Sequence, residues 1–250
     1  MARRFEAAIR AGNVRLLHEF LAAHGLPTCA LSTGDTPLTL AVRSAGKHKA
    51  ALVQALLDAG ADVSGPTWDG DTPLSCAAQV GDLETAKLLV SAGADVRFTG
   101  QLPALVVAAR EGHDQLVDFF ATLAPGQASE SFALNGERHF RQRPVLQLAL
   151  ESEKCNVRTV ECLITHGAKV DVRSQGRTPL QTAWTTMVVN DFQFNPDIVA
   201  ALMHAGADAA ELDPDVKRVP QSRRSAQFLE CWEILRLISG NEADLTKACR

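Results

Sequence analysis

The pattern of apolar and polar positions is most regular between Trp68 and Val96. Apolar residues recur there in two runs at spacings of three and four residues, which places them on one face of a helix. The positions are Leu74, Ala77 and Ala78 in the first run, and Leu83, Ala86, Leu89 and Val90 in the second. The pattern predicts two short helices, and the small residues of the first allow a neighbouring helix to pack closely.

Residues with special backbone preferences stand at the ends of both predicted helices. Thr72 is placed to cap the first helix, and Pro73 occupies its first position, where a missing N–H costs nothing. The Gly81-Asp82 pair separates the helices, and Gly93 ends the second one in the manner of a left-handed C-cap. A helix pair this small cannot bury its own apolar face, so it must stack on copies of itself.

With T-P-L at 72–74 and G-A-D at 93–95, this unit resembles the ankyrin repeat. The same two signatures recur around 36–62 and 178–208, and other segments match by register alone. The resemblance implies an all-α solenoid of helix–turn–helix repeats with hairpin fingers, about six repeats long and capped at both ends. The expected repeats are 3–30, 34–66, 70–99, 100–125, 143–175 and 176–210, with a loop insertion at 125–143.

The sequence also allows predictions for both ends of the array and for its irregular segments. In the N-terminal repeat, Arg3, Arg4, Glu6 and Arg10 suit a face that meets water. The Met187–Pro196 stretch either extends a helix or forms a projecting loop. Residues 211–250 are expected to form a linker and a C-terminal helix at 225–238, which either caps the last repeat or exposes a docking site.

Composition excludes several classes of partner. The net charge of −4 gives no bulk attraction to nucleic acids or acidic membranes. No apolar run approaches the roughly 18 residues of a membrane span, and the N-terminus lacks the apolar core of a signal peptide. The 6 cysteines are scattered, which fits reduced thiols. The expected protein is therefore a monomer in the cytoplasm or the nucleus.

The sequence contains none of the common signatures of an active site. It lacks the phosphate-binding glycine motifs, the nucleophile elbow and the H-E-x-x-H zinc motif. Its 7 histidines are dispersed, and Cys155 and Cys162 lie in or after a lengthened turn with no motif spacing to a histidine. We therefore expect no catalytic residue, no cofactor and no metal. The basic cluster Lys217–Arg224 is either a solvated linker or a contact for an acidic partner.

In the ankyrin family, partners usually dock on the concave side, which finger tips and first helices form. The partner-binding positions that alignment with the family implies are Trp68, Arg97, Phe98, Arg43, Gln79, Arg110, Arg173 and Thr185. Other first-helix positions expected to be free are Leu40, Cys76, Val107, Gln147, Glu151 and Thr182. Trp68 is the strongest candidate because Trp dominates interface hot spots, although it could instead pack along the neighbouring finger.

The resemblance implies a non-enzymatic protein–protein interaction module, an adaptor or scaffold that holds a partner protein of unknown identity. An alternative from another class is a substrate-recruiting or targeting subunit of an enzyme system, such as a ubiquitin-ligase adaptor or a secreted bacterial effector. The helix at 225–238 would have to supply the docking contact in that case.

Overall fold

A computed structural model describes residues 2–27, 31, 33–44, 46–97, 102–132, 143–189, 196–208 and 212. Within these ranges the chain forms twelve α-helices, one 3-10 turn and one short two-stranded ladder. The chain divides into two compact units, Met1–Ala108 and Ala109–Arg250. The expectations for Phe98 and for residues 213–250, including the helix at 225–238, lie outside the described residues.

The first unit contains three helix pairs. The helices are α1 (Ala2–Arg10), α2 (Val14–His24), α3 (Pro37–Arg43), α4 (Lys49–Asp58), α5 (Pro73–Val80) and α6 (Leu83–Ser91). Each odd-numbered helix packs on the even-numbered helix that follows it. First helices also stack in a row, α1 on α3 on α5, and second helices do the same, α2 on α4 on α6. The predicted solenoid of stacked helix pairs is therefore confirmed in this unit.

The helices of the next three pairs are less regular in length. They are α7 (Ala104–Glu111), α8 (Asp114–Leu123), α9 (Val145–Leu150), α10 (Val157–Thr165), α11 (Pro179–Val189) and α12 (Pro196–His204). In the second unit α8, α10 and α12 form a row, and α9 packs on α11. The helix α11 reaches Val189, three residues into the Met187–Pro196 stretch, and residues 190–195 of that stretch lie outside the described residues.

Part of the expected loop insertion is structured. Gln127–Ser129 form a 3-10 turn, and β1 (Ser131–Phe132) pairs antiparallel with β2 (Arg143–Pro144). In this ladder Ser131 faces Pro144, and Phe132 faces Arg143. The insertion thus leaves and rejoins the helical array through a two-residue ladder, which the sequence pattern did not predict.

The predicted helix ends are present. At the starts of α3 and α5 there is also a second capping hydrogen bond, which the sequence pattern did not predict. Thr72 accepts a hydrogen bond from the backbone N–H of Ser75 at 3.1 Å, and Ser75 Oγ accepts one from the Thr72 N–H at 2.9 Å. Thr36 and Thr39 form the same reciprocal capping box at the start of α3. Gly93 has φ +97°, the left-handed conformation expected of it after α6.

Small and medium apolar side chains fill the core, including Ala77, Ala78 and Leu89. Trp184, which replaces an alanine of the repeat pattern, is fully buried. The expectation for Glu6 is wrong, because this residue is buried rather than turned to water. Since α1 packs against both α2 and α3, only part of its circumference stays exposed. No helix in the described part of the chain is both long enough and apolar enough to span a membrane.

Candidate functional site

Two successive finger turns in the first unit have the same hydrogen-bond pattern. In the first, the N–H of Leu31 donates to the carbonyl of Asp35 at 3.0 Å. In the second, the N–H of Thr67 donates to the carbonyl of Asp71 at 2.8 Å. Each turn leads through its aspartate into a threonine-capped helix, so the G-D-T-P-L sequence places one carboxylate at the base of each of these two fingers.

Arg43, at the end of α3, joins the two finger bases. Its Nη1 lies 2.7 Å from Asp35 Oδ1, and its Nη2 lies 2.7 Å from Asp71 Oδ2. Asp71 is 28 residues from Arg43 and belongs to the next repeat, so the guanidinium connects neighbouring repeats. Because both terminal nitrogens of the guanidinium are engaged, Arg43 acts here as an internal link between fingers. Its predicted contact with a partner remains a prediction.

The Cys76 thiol lies beneath this network and is buried. Burial raises the pKa of Cys76 to about 12, although the nearby Arg43 guanidinium lowers it. Burial would lower the pKa of Arg43, but Cys76, Asp35 and Asp71 outweigh that effect and raise it. The thiol is therefore protonated at neutral pH and unreactive, while the arginine keeps its charge.

Trp68 combines a fixed position with large exposure. Its backbone N–H donates to the carbonyl of Gly34 in the preceding finger at 3.1 Å, and its indole covers Gly34. A Cβ on Gly34 would lie only 2.8 Å from Cδ2 of this indole, so the close approach requires glycine. The Trp68 side chain nevertheless remains 76% exposed. The interpretation that Trp68 packs along the neighbouring finger therefore holds for one face of its ring, while contact between the exposed remainder and a partner stays a prediction.

The remaining predicted residues of the first unit lie around the same fingers. Gln79 is exposed near the end of α5. Arg97 is exposed in the next finger, where its backbone N–H donates to Asp95 Oδ1 at 2.8 Å. Together with Trp68 and Arg43, these two residues form what we call the tip surface of the first unit.

In the second unit, the predicted residues are spread over three segments. Arg110 is exposed at the end of α7, and Arg173 is exposed in the finger before α11. Thr185 is half-buried on α11, and its hydroxyl donates to the Gln181 carbonyl at 2.8 Å. These three positions therefore belong to different repeats of the unit.

Several first-helix positions that we expected to be free are buried instead. They are Leu40, Cys76, Gln147 and Thr182. Each precedes a more exposed residue of the same helix by three or four positions, at Arg43, Gln79, Glu151 or Thr185. The helix α3, for example, packs against α1, α4 and α5, which buries Leu40 and leaves Arg43 at its C-terminal end partly exposed.

A second cluster of polar side chains lies between α8 and α10, where the sequence motifs predicted no site. Asp118 on α8, Cys162 on α10 and His166 at the end of α10 bring one donor atom each to within 4.8 Å of one another. His166 Nε2 lies 2.9 Å from Asp118 Oδ1. Burial raises the pKa of Cys162 to about 11, and the charges of Asp118 and Asp114 add to this effect.

The sequence signal for this cluster was the pairing of polar residues four positions apart. Asp114 and Asp118 share one face of α8, and Cys162 and His166 share one face of α10. That these two faces meet depends on stacking across the insertion, because 48 residues separate Asp118 from His166.

Comparison with known proteins identifies the repeats. The family model for ankyrin repeats, in three copies, matches residues 5–100. A relative from Caenorhabditis elegans, the ankyrin repeat and KH domain-containing protein mask-1, is 28% identical over 221 residues, covering 79% of this chain. The chain spans only 8% of that relative's length.

Two solved structures have a similar fold. The ankyrin repeat domain of human ASB11 has a TM-score of 0.65 at 22% identity, covering 98% of this chain and 95% of that domain. The ankyrin repeat domain of Bcl-3, a member of the IkappaB family, has a TM-score of 0.63 at 21% identity, covering 83% and 88% respectively. The predicted ankyrin resemblance and fold class are thereby confirmed.

Proposed function

We propose that this chain, whose residues 5–100 belong to the ankyrin-repeat family, is a non-enzymatic adaptor that binds a partner protein through the tip surface of its first unit. Ankyrin-repeat domains are generally protein–protein interaction modules, with a rigid array that presents residues from several repeats. The partner binds in the cytoplasm or the nucleus, and Trp68 is the anchor.

The placement of Trp68 is the observation that carries this proposal. A side chain that is 76% exposed but fixed through its backbone and one ring face offers a large apolar area at low entropic cost. Such pre-ordered tryptophans are typical of binding hot spots. The Arg43 link holds the two neighbouring finger bases together, so the surface around Trp68 is ordered before a partner arrives.

Trp68→Ala tests the anchor. We expect partner binding to weaken at least about tenfold, because hot-spot truncations cost about 2 kcal/mol or more. The free energy of unfolding should change by less than about 0.5 kcal/mol, since the side chain is mostly exposed. Partners captured from cytosol by the wild-type chain are identified by mass spectrometry, and their affinity for purified variants is then measured by calorimetry.

Leu123→Ala is the matched control, because Leu123 is another exposed apolar side chain, at 46%, but lies on the second helix α8. It should retain every partner that Trp68→Ala loses. Equal retention by both variants would show that the tip surface is not the binding site. Unfolding of Trp68→Ala would show that Trp68 serves packing instead.

Gly34→Ala provides an independent test of the anchor's position. The added methyl group must displace the indole of Trp68, so partner affinity should fall although Trp68 itself is intact. Gly60→Ala is its control, because Gly60 has a nearly identical φ of +82° but nothing within 4 Å of the added methyl. We expect both variants to lose about 1 kcal/mol of stability, and only Gly34→Ala to lose the partner. Equal affinities would contradict the role of the indole.

The alternative function, a substrate-recruiting or targeting subunit, depends on residues 225–238, which lie outside the described residues. It remains a prediction. Deletion of residues 225–250 separates the two functions: an adaptor that acts through Trp68 keeps its partner, whereas a recruiting subunit loses the enzyme that it serves.

A further inference from the structure

The cluster of Asp118, Cys162 and His166 has the composition of a metal site. It combines a carboxylate, a thiol and an imidazole, which are the three side-chain types that bind Zn²⁺ in proteins. Among the described residues, no other group of three such side chains gathers its donor atoms so closely. His166 is mostly buried, Cys162 is half-buried and Asp118 is exposed, so the site is anchored on α10 and open to solvent at α8.

Helix geometry explains why the donors converge. Cys162 and His166 are four residues apart at the end of α10, and Asp114 and Asp118 are four residues apart on α8. Two side chains at this spacing lie one above the other on the same helix face. Since α8 and α10 pack against each other, the two pairs meet across the helix interface. The charge of Asp114 acts on the Cys162 thiol, which places this carboxylate beside the cluster as well.

We infer that Asp118, Cys162 and His166 form a binding site for Zn²⁺ that links the second helices of the fourth and fifth repeats. A tetrahedral zinc ion holds its donor atoms about 3.5 Å apart, as its bond lengths of about 2.0–2.3 Å require. The donors here already lie within 4.8 Å of one another, so rotamer adjustments of about 1 Å suffice. The fourth position is filled by water or by Asp114.

Donor chemistry selects zinc over the abundant hard cations. Thiolate sulfur and imidazole nitrogen favour Zn²⁺, whereas Mg²⁺ and Ca²⁺ prefer shells made entirely of oxygen. Binding replaces the His166–Asp118 hydrogen bond by bonds from both side chains to the metal, and the thiol proton passes to solvent. The ion would join residues 44 and 48 positions apart, on opposite sides of the insertion. It therefore stabilises the second unit where the repeats are least regular.

Cobalt substitution tests the site on the full-length chain. Co²⁺ bound by a thiolate produces an intense near-ultraviolet charge-transfer band, which neither a carboxylate nor an imidazole produces. We expect this band at one equivalent of Co²⁺, its loss on addition of Zn²⁺, and no effect of Mg²⁺ at a hundredfold excess. Zinc should also raise the melting temperature of the wild-type chain. Absence of the band would overturn the proposal.

Matched variants assign the donors. Cys162→Ser should abolish the band, whereas Cys155→Ser, which removes another half-buried thiol of the same repeat, should retain it. A band that survives in Cys162→Ser would assign the metal to other cysteines of the chain and exclude this site.

Asp118→Asn keeps the test decisive if Cys162→Ser does not fold, because Asp118 is 69% exposed and we expect the fold to tolerate its replacement. It should weaken zinc binding at least about tenfold, since loss of even an outer-shell group has an effect of that size. Zinc affinity equal to that of the wild type would remove Asp118 from the site and contradict the proposed three-donor arrangement.

Discussion

In the first unit, neighbouring repeats are linked at the fingers as well as at the turns between helices, whereas the fourth and fifth repeats of the second unit are linked at those turns. In the first unit, the second and third repeats are linked at the fingers, where Arg43 bridges Asp35 and Asp71 and where Trp68 covers Gly34. In the second unit, the fourth and fifth repeats are linked at the turns between first and second helices. There Ser152 Oγ donates to the Arg110 carbonyl at 2.5 Å, and Asn156 Nδ2 donates to the Gly112 carbonyl at 2.7 Å.

This difference follows from where each unit departs from the regular repeat. The fourth repeat lacks a G-A-D finger and continues into the insertion, so the fifth repeat uses its lengthened turn, Ser152–Asn156, to reach back to its predecessor. An additional ion pair between Lys154 and Glu111 strengthens the same turn. Neighbouring repeats of this chain can thus be connected at their fingers or at the turns between their helices.

Gly112→Ala should have the largest effect on stability. Gly112 has φ +76°, and a methyl group there would overlap the backbone carbonyl of Lys154 in the turn of the next repeat. Because backbone atoms cannot move aside as a flexible side chain does, we expect a loss of more than about 2 kcal/mol, measured by urea denaturation.

Gly167→Ala is the control for this variant. It has φ +92° in the same unit but open space around the added methyl group, so it should cost only about 1 kcal/mol. Equal losses in the two variants would show that the turn contact between the fourth and fifth repeats does not stabilise the second unit.

Asp82→Ala should have an intermediate effect. Asp82 caps α6 by accepting from the Thr85 N–H at 3.0 Å, and its Oδ2 lies 3.2 Å from Lys49 Nζ of the preceding repeat. Loss of the cap should cost about 1 kcal/mol at pH 7. Its counterpart in the second unit is the neutral Asn156, which caps α10 and contacts the preceding repeat through its amide.

The charge of Asp82 adds a pH dependence that Asn156 lacks. Burial raises the pKa of Asp82, but hydrogen bonds from Thr85 and Lys49, together with the charge of Lys49, outweigh burial, so that the net pKa lies below the ordinary value. A lowered pKa favours the charged form in the folded state. The stabilisation is therefore complete above the unfolded pKa of about 3.9 and is lost as pH falls through the folded pKa.

Asp82→Asn isolates this charge, since asparagine is an equally good cap. We expect the variant to be slightly less stable than the wild type at pH 7, with the difference shrinking below about pH 4. Thermal unfolding at several pH values between neutral and strongly acidic measures it. A difference that stays constant over this range would exclude a contribution from the charge.

Gln175→Asn should have the smallest effect on stability, and unlike the other variants it should stabilise the protein. Gln175 has φ +54° and is the one described residue other than glycine with positive φ. It sits beside Gly176 in a tight finger turn closed by hydrogen bonds between Ser174 and Arg177 at 2.9 and 3.0 Å. Asparagine tolerates this conformation better, so we expect a gain of about 0.5 kcal/mol, measured by thermal unfolding. A loss of stability would show that the Gln175 side chain makes a compensating contact.

Much of the fold was predictable because its determinants are local. The T-P-L starts, the Gly-Asp breaks and the glycine ends act within a few residues, and the helices begin at Pro37, Pro73 and Pro179 as this pattern predicts. The exposed position of Trp68 followed from its place in a turn beside Asp69 and Gly70. Gln79 and Arg110 on first helices and Arg173 in a finger are exposed, as repeat spacing predicted, while their contact with a partner stays a prediction.

Contacts between repeats were not predictable in the same way. The engagement of Arg43 by two carboxylates, the burial of Glu6 and the burial of Gln147 all depend on which side of a helix faces its neighbours. The Asp118, Cys162 and His166 cluster depends in addition on how the insertion returns the chain to the array. No pattern within one repeat contains this information.

By itself, the sequence determined the repeating helix pairs, their ends and the fold class, because hydrophobic period and backbone preference act over distances of one helix. Tertiary structure alone decided which charged groups meet, as with Arg43 and the two finger aspartates, and which polar residues become buried. The physical reason is that stacking joins residues 28 to 48 positions apart, and their encounter depends on the rotation and register of whole helices.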